Sequence, residues 1–259
     1  MRLHHFASRV FEHIQPVLQK FGLDRKLTEL YWKTQLDWHQ LSINGKDIVL
    51  KSSDHFLHDF ESEKEIIESV LSEINSGDTV YDIGANIGLY SVFVGESAEK
   101  VVSIDPYPFI AEILSTNLDK NNVDAQIVVG AMGESPGNVE LAIVGPTSHT
   151  LDDESGTPRI ETTVYDEESL IEKHQVPSPD IVKIDVEGAE YDVLRGLELE
   201  NIRCVFLEVH HDELRQFDST TEEVESYLFE QGFEIMKLAE SEERDFWKCM
   251  NTDFSQREV

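Results

Sequence analysis

The sequence predicts an α/β fold with a doubly wound sheet, mostly parallel with an antiparallel edge strand, preceded by a helical and hairpin extension. From about residue 60, short apolar β-rich runs alternate strictly with amphipathic helical segments. A glycine-rich turn follows the first of these runs, as is common in open parallel sheets. The 259 residues, 40% of them hydrophobic, suffice for a large core. We expect residues 1–59 to form the extension and residues 60–259 the main domain.

The extension is predicted to contain one helix and one β-hairpin. Apolar residues recur every three or four positions over residues 3–21, which indicates an amphipathic helix bent near Pro16. Its polar face is not especially basic, so packing on the main domain or on a second copy is favoured over a membrane surface. A homo-oligomer would form through this extension. Asn44 and Gly45, a favoured hairpin turn, separate strands at 36–43 and 46–51.

The main domain is predicted from its periodicity, element by element. It begins with helix 61–75, strand 79–83, helix 88–98, strand 101–105, helix 108–121 and strand 126–130. Short strands at 138–144 and 159–164 flank a loop at 145–158. The alternation of strands and helices then continues with strand 180–186, helix 189–197, strand 202–209, helix 221–231 and strands 233–238 and 246–250. This order is typical of a parallel sheet covered on both faces, and the last two strands are expected to pair antiparallel.

The charge excludes some partners and suggests an environment. The chain has 52 acidic and 21 basic residues, for a net charge of −31. Binding to nucleic acid or anionic lipid through a basic surface is therefore not expected. Since the Debye length falls to roughly 3 Å at molar salt, a halophilic cytoplasm would suit this surface; the alternative is an ordinary acidic protein.

The two cysteines lack metal-binding spacing, and neither a membrane span nor a secretion signal is recognisable, so we expect a cytoplasmic protein.

The turn that follows strand 79–83 is the most informative segment. Residues 82–88 read DIGANIG, and Asp105 ends the next strand, 21 residues after Gly84. In open α/β sheets, ligands bind beyond the carboxyl ends of the strands, where glycines let the backbone approach closely. The position of Asp105 suits a carboxylate that binds the two hydroxyls of a ribose.

Charge distinguishes the two nucleotide ligands that such a turn can accept. A dinucleotide would place its pyrophosphate beside Asp82, whereas S-adenosylmethionine carries an ammonium and a sulfonium that a carboxylate attracts, and the turn amides could take its carboxylate. The glycine spacing also differs from G-x-G-x-x-G. S-adenosylmethionine is therefore the favoured cofactor. An NAD-dependent oxidoreductase is the alternative enzyme, and a non-catalytic module that binds S-adenosylmethionine is the alternative without chemistry.

Three segments resemble the FkbM family of S-adenosylmethionine-dependent methyltransferases. They are DIGANIG at 82–88, SID at 103–105 and DIVKIDVEGAE at 180–190, within a resemblance that spans roughly residues 60–238. Residues 162–170 also resemble the family's short strand and acidic helix start, with Tyr165 where leucine is more usual. The resemblance implies a class I methyltransferase (Rossmann-like) fold and O-methylation of a hydroxyl on a sugar, glycan or small natural product. Residues 1–59 match nothing in the family.

Within this interpretation, each part of the cofactor has its expected contacts. The methionine portion would contact the turn, the ribose would contact the acid at the end of the next strand, and the adenine would contact the backbone further along. The cofactor-binding residues expected in that order are Asp82, Gly84, Asn86, Gly88, Asp105, Ala131 and Met132.

Charged residues at the ends of two later strands are the candidates for catalysis. Lys183 and Asp185 interrupt an apolar strand and should share one face, where charges are costly unless paired or placed at a cleft. With Glu187 and His210 they are expected to line the acceptor side, although a structural ion pair is the alternative for Lys183 and Asp185. Glu190, in the first turn of the next helix, has an equally good explanation as a complement to the helix dipole.

The role of His210 has three open interpretations. It could be the general base, or it could bind a divalent metal together with Asp185 and Glu208, or it could be a satisfied histidine at a strand end. The motif does not establish a metal, and none is assigned.

Overall fold

A computed structural model of the chain describes residues 29–30, 33–143, 149–150 and 159–254. The helix predicted at 3–21 lies outside the described residues, as does most of the loop predicted at 145–158.

The strands of the main sheet are β3 (Thr79–Ile83), β4 (Lys100–Asp105), β5 (Ala125–Val129), β10 (Ile181–Ile184), β11 (Cys204–His210), β12 (Phe233–Glu240) and β13 (Arg244–Asn251). They lie side by side in the order β12-β13-β11-β10-β3-β4-β5. Strand β13 is antiparallel to both of its neighbours, whereas β3, β4, β5, β10 and β11 pair in parallel. The predicted mostly parallel α/β sheet is confirmed, and so is the antiparallel pairing of the last two strands. The antiparallel strand lies one place in from the edge, because the chain turns back from β12 into the gap beside β11.

Helices cover both faces of this sheet. They are α1 (Asp54–Glu73), α2 (Leu89–Val94), α3 (Pro108–Lys120), α4 (Glu167–His174), α5 (Glu190–Arg195), α6 (His211–Leu214) and α7 (Thr221–Glu230). One core forms between the sheet and helices α4 to α7, and the other between the sheet and helices α1 to α3. Successive strand residues alternate between them, since Val80 joins the second core and Tyr81 the first. Helix α4 follows the strand where the family resemblance places an acidic helix start.

The N-terminal hairpin is built as predicted and packs against helices α1 to α3. Strands β1 (Asp37–Ile43) and β2 (Lys46–Ser52) pair around Asn44 and Gly45, whose φ values of 50° and 81° are those of a tight hairpin turn. Leu50 is fully buried in the core that contains helices α1 to α3. The Asn117 and Asn121 side chains of α3 accept hydrogen bonds from the backbone of β2 at 2.7 and 2.8 Å. Both apolar and polar contacts thus hold the hairpin against α3.

A smaller sheet lies beyond the end of β5. It contains β6 (Ala131–Met132), β7 (Gly137–Ile143), β8 (His149–Thr150) and β9 (Arg159–Tyr165) in the order β6-β9-β7-β8. Because β6 follows β5 after one residue, this sheet forms a wall beside the carboxyl ends of the main strands. Within the described ranges, no helix is both long and apolar enough to cross a membrane.

Candidate active site

The carboxyl ends of the parallel strands border a cavity, here called the first cavity, with an empty volume of ≈ 950 Å³ that includes its open mouth. Its polar lining is Asn86, Asp105, Asp185, Glu187 and Asp192, and most of the remaining lining is apolar. A largely apolar cleft with a few polar groups at the end of a parallel sheet is the usual site for a nucleotide-like ligand.

The turn between β3 and α2 needs its glycines. Gly84 has φ 76°, and a Cβ there would lie 1.7 Å from the backbone oxygen of Asp185. Gly88 has φ 90°, and a Cβ there would lie 2.4 Å from the Cδ1 atom of Leu114. Both positions therefore require the left-handed backbone and the missing side chain of glycine. Gly84 brings the turn against the end of β10, whereas Gly88 packs away from the first cavity.

The backbone amides of this turn are already hydrogen bonded within the protein. Gly84 and Ala85 both donate to the Ile104 carbonyl, Asn86 donates to Asp105, and Gly88 donates to Ala85. The amide of Ile87 donates to the side chain of Asn86. The sharp turn thus uses these donors itself, and their contact with a ligand carboxylate stays a prediction. Of the predicted methionine contacts, Gly84 and Asn86 line the cavity.

Asp82 lies below the turn and supports it. The backbone and hydroxyl of Ser91 donate to its Oδ2 atom at 3.0 and 2.6 Å, so Asp82 stabilises the beginning of α2. Its Oδ1 atom has no hydrogen-bond partner among the described residues and lies 3.8 Å from Lys183 Nζ. Asp82 is 1% exposed and is not among the residues that line the first cavity. The structure thus gives it a supporting position behind the residues that a ligand would touch.

Asp105 reaches the first cavity from the end of β4. Its two carboxylate oxygens accept hydrogen bonds from the backbone amides of Asn86 and Tyr107 at 3.0 and 2.9 Å. Burial raises the pKa of Asp105 to about 7, against the lowering effect of these two bonds. Each oxygen retains a lone pair for a further donor, so the fixed carboxylate can accept two neighbouring hydroxyl groups.

The far wall of the first cavity suits a flat ring. Gly130, Ala131 and Met132 line it where β5 passes into β6, and Ile104 contributes a further apolar surface. A Cβ at Gly130 would lie 2.6 Å from the ring of Tyr165, so this close packing of the wall also depends on glycine. The predicted adenine residues Ala131 and Met132 therefore lie in the cavity beside Asp105. The lining thus offers a contact for each part of S-adenosylmethionine. The carboxylate of Asp105 suits the ribose hydroxyls, the apolar wall suits the adenine, and the carboxylate of Asp185 suits the cationic methionine end.

Lys183 and Asp185 form a pair at the end of β10, as their spacing predicted. Lys183 Nζ donates to Asp185 Oδ2 at 3.1 Å and lies 4.7 Å from the centre of the Tyr90 ring. The charge of Lys183 lowers the pKa of Asp185 below its usual range despite burial. Lys183 is 3% exposed and lines neither of the cavities described here, because Asp82 and Asp185 hold its ammonium below the cleft. Asp185 alone of the pair faces the first cavity.

His210 is fixed by a carboxylate that the sequence did not assign to it. Its Nδ1 donates to Glu190 Oε1 at 2.6 Å, and its Nε2 lies 3.8 Å from both Asp185 Oδ1 and Glu208 Oε1. Burial alone would lower the pKa of His210, but the bond to Glu190 and the surrounding carboxylates raise it to about 9. Glu190 therefore orients the ring so that Nε2 faces Asp185.

A second cavity begins where the first one ends. It is lined by Glu187, His210, Asp212, Glu213, Glu243 and Arg244. Glu187 lines both cavities, and its backbone adopts a left-handed φ of 54°. Burial and the charge of Asp185 raise the pKa of Glu187. A ligand in each cavity would therefore meet at Glu187.

The cluster that could hold a metal differs from the one considered from the sequence. Arg244 Nη1 binds Glu208 Oε1 at 2.6 Å, so Glu208 is already engaged. The potential ligand atoms of Asp185, Glu187 and His210 lie within 4.8 Å of one another. Arg244 was missed because it comes from β13, although its antiparallel pairing with His210 would have revealed it had the register been known.

Fold and site together define a class I S-adenosylmethionine-dependent methyltransferase. The family model described as "Methyltransferase FkbM domain" matches residues 82–235, which is more than half of the chain. The chain belongs to the FkbM methyltransferase family. This assignment confirms the expected cofactor, S-adenosylmethionine, and removes the NAD-dependent alternative.

Two proteins to which the chain is similar are also named as methyltransferases. The chain is 30% identical over 159 residues to the hexuronic acid methyltransferase AglP of Haloferax volcanii, covering 60% of this chain and 65% of that protein. It is 26% identical over 202 residues to the 31-O-demethyl-FK506 methyltransferase FkbM of Streptomyces tacrolimicus, covering 63% of this chain and 75% of that protein.

Solved structures with a similar chain path include two from bacteria. One is an rRNA methylase from Streptococcus thermophilus, with TM-score 0.48 and 11% identity, covering 73% of this chain and 95% of that chain. The other is TrmK of M. capricolum in complex with S-adenosyl-homocysteine, with TM-score 0.47 and 10% identity, covering 73% of this chain and 68% of that chain.

Proposed function

We propose that the chain transfers a methyl group to a hydroxyl oxygen of a sugar, uronic acid or small natural product. The observation that carries this proposal is the position of Glu187, which lines both the cofactor cavity and the acidic second cavity. The acceptor would enter the second cavity and reach the methyl group beside Asp185 and Glu187.

The names of the relatives support this acceptor class. One relative is named for a hexuronic acid and another for an oxygen of a natural product. Arg244 places a guanidinium among the residues that line the second cavity and offers a contact for the carboxylate of a uronic acid.

Positioning is the main task of the protein in this reaction. Bound S-adenosylmethionine supplies a methyl group on a cationic sulfur, which is already activated for displacement. Asp105 and Asn86 hold the donor in the first cavity, and Asp185 attracts its positive end. Lys183 and Asp82 act behind them as positioning residues that fix Asp185. Donor and acceptor aligned in this way need no further covalent catalysis by the chain.

The acceptor hydroxyl also has to release its proton. Its neighbours would be Asp185, Glu187 and His210. Because the pKa of His210 is about 9, its imidazole is mostly protonated at neutral pH and stabilises negative charge on the oxygen. The proton therefore leaves through the carboxylates of this cluster to water in the second cavity.

The test is a transfer assay with isotopically labelled S-adenosylmethionine and a panel of uronic acids, neutral hexoses and macrolide alcohols. We expect label in at least one sugar or alcohol acceptor as a methyl ether that resists mild alkali. Label that mild alkali releases as a methyl ester would overturn the hydroxyl assignment. Cofactor binding without transfer to any acceptor would instead support the non-catalytic module.

We also propose that the chain works in the cytoplasm of a salt-rich cell. The net charge of −31 and a relative from Haloferax volcanii support this proposal. Self-repulsion should fall as salt screens it, so we expect the melting temperature to rise steeply between about 0.1 M and molar KCl. A melting temperature that stays constant over this range would contradict the proposal.

A further inference from the structure

We propose that Asp185, Glu187 and His210 form a binding site for one divalent cation of the Mn²⁺ type, placed between the two cavities. This inference rests on the proposed function, because it assigns to the same cluster the task of binding the acceptor oxygen. The potential ligand atoms of the three residues lie within 4.8 Å of one another, so small side-chain movements would bring them around one ion.

The imidazole of His210 supplies the first argument. The residue is 6% exposed, and among the described residues the charged atoms nearest its Nε2 are carboxylate oxygens of Asp185 and Glu208, both 3.8 Å away. That distance is too long for a hydrogen bond, so an ion between Nε2 and the acids would contact both. Nδ1 is bound by Glu190 at 2.6 Å. A carboxylate on one ring nitrogen and a metal on the other is the usual arrangement of metal-binding histidines, since the carboxylate fixes the orientation of the ring.

The two carboxylates supply the second argument. Lys183 occupies Asp185 Oδ2 at 3.1 Å, which leaves Oδ1 on the side of His210. Glu187 is placed at the same point by a left-handed turn. The following Gly188 packs so closely that a Cβ there would lie 2.7 Å from the Glu213 backbone. Both acids are therefore held by the fold close to the imidazole of His210.

The local charge supplies the third argument. Glu190 and Glu208 flank the same imidazole, in addition to the two proposed ligands. Lys183 binds Asp185, Arg244 binds Glu208 and His210 binds Glu190, so among the described side chains Glu187 has no ion pair with a basic residue. A divalent cation would offset the excess of negative charge in this cluster.

Oxygen and imidazole donors together favour a first-row ion such as Mn²⁺ over Ca²⁺. Such an ion would displace the proton from Nε2 of His210 and replace the imidazolium in stabilising negative charge on the acceptor oxygen. It would bind the acceptor hydroxyl and lower the pKa of that hydroxyl. The hydroxyl proton would then pass to water in the second cavity as the new C–O bond forms and the C–S electron pair stays on sulfur. For a uronic acid, the ion would also reduce the repulsion between the acceptor carboxylate and the acids of that cavity.

Mn²⁺ binding to the full chain, followed by the EPR signal of free Mn²⁺, tests the site directly. The titration is run in about 1 M NaCl, where diffuse attraction to the acidic surface is screened. We expect one bound ion per chain, with affinity at least about tenfold weaker in Glu187→Gln and in His210→Gln. Glu243→Gln, which removes an exposed acid from the same second cavity, is the matched control and should stay within about twofold of the parent affinity.

Equal losses in Glu187→Gln and Glu243→Gln, or several weak ions in place of one, would show surface accumulation and overturn the site. Circular dichroism of each variant checks that it is folded, and His210→Gln provides a second variant if Glu187→Gln is not. Methyl transfer that persists in EDTA, without a bound ion, would reject the cation and leave the proposed function standing. One bound ion without transfer to any acceptor would reject the proposed function and leave the site.

Discussion

Replacing Asp105 by alanine is expected to weaken S-adenosylhomocysteine binding about 5- to 150-fold, the equivalent of roughly 1–3 kcal/mol. The carboxylate ends β4 inside the first cavity and is held there by the amides of Asn86 and Tyr107. Its loss would leave the ribose hydroxyls without their acceptor. Isothermal titration calorimetry on the folded variant measures the effect.

The same residue gives the binding a pH dependence. Because the pKa of Asp105 is about 7, the ionised acceptor is lost as the pH falls through that value, and affinity should fall with it. In Asp105→Ala this dependence should disappear. Asp124→Ala removes an exposed carboxylate outside the cavity and is the control. Parent affinity in Asp105→Ala would show that the ribose lies elsewhere.

Replacing His210 by glutamine should lower turnover by about 10²-fold or more, while S-adenosylhomocysteine affinity changes only a few-fold. Nε2 of His210 faces Asp185 at the border of the second cavity, away from the residues expected to hold ribose and adenine. Its contribution therefore arises in the reaction and not in cofactor binding. Single-turnover kinetics with saturating cofactor, after an acceptor is identified, measures it.

The pH profile sharpens this second prediction. Glu190, Asp185 and Glu208 surround the imidazole and raise the pKa of His210 to about 9. Under the proposed function the protonated imidazole stabilises negative charge on the acceptor oxygen, so turnover should fall as the pH rises through about 9, and His210→Gln should lose this fall. His211→Gln is a close control, because His211 contacts Thr221 and Asp245 and does not line the second cavity. Unchanged turnover in His210→Gln would remove the residue from the mechanism.

The sequence predicted the main sheet well because its strands are nearly continuous apolar runs. Strand β3 at Thr79–Ile83 has the predicted bounds, and every one of its residues is buried. The order of the strands depends on contacts between distant residues, which periodicity does not contain. For that reason the position of β13 between β11 and β12 could not be predicted, even though the pairing of β12 with β13 was.

At the site, residue types were easier to predict than roles. Asp105 and Asp185 lie in the first cavity because a residue at the end of a parallel strand has little choice of position. Asp82 also follows that rule, but α2 draws its carboxylate towards Ser91. From the sequence, Glu190 is explained equally well as an acid that complements the dipole of its helix. Its bond to His210 depends on how β11 and α5 approach each other, which no local pattern records.

The late position of β13 in the chain affects how the site is assembled. Strand β12 touches the main sheet only through β13, although β12 comes first in the sequence. During synthesis, β12 therefore has no place in the sheet until the residues after it have been made, and the edge of β11 stays open until then. Arg244, which forms an ion pair with Glu208 and is the register partner of His210, belongs to this last strand. The second cavity, which we propose for the acceptor, is thus complete only when β13 has been made, whereas every residue that lines the first cavity precedes β12.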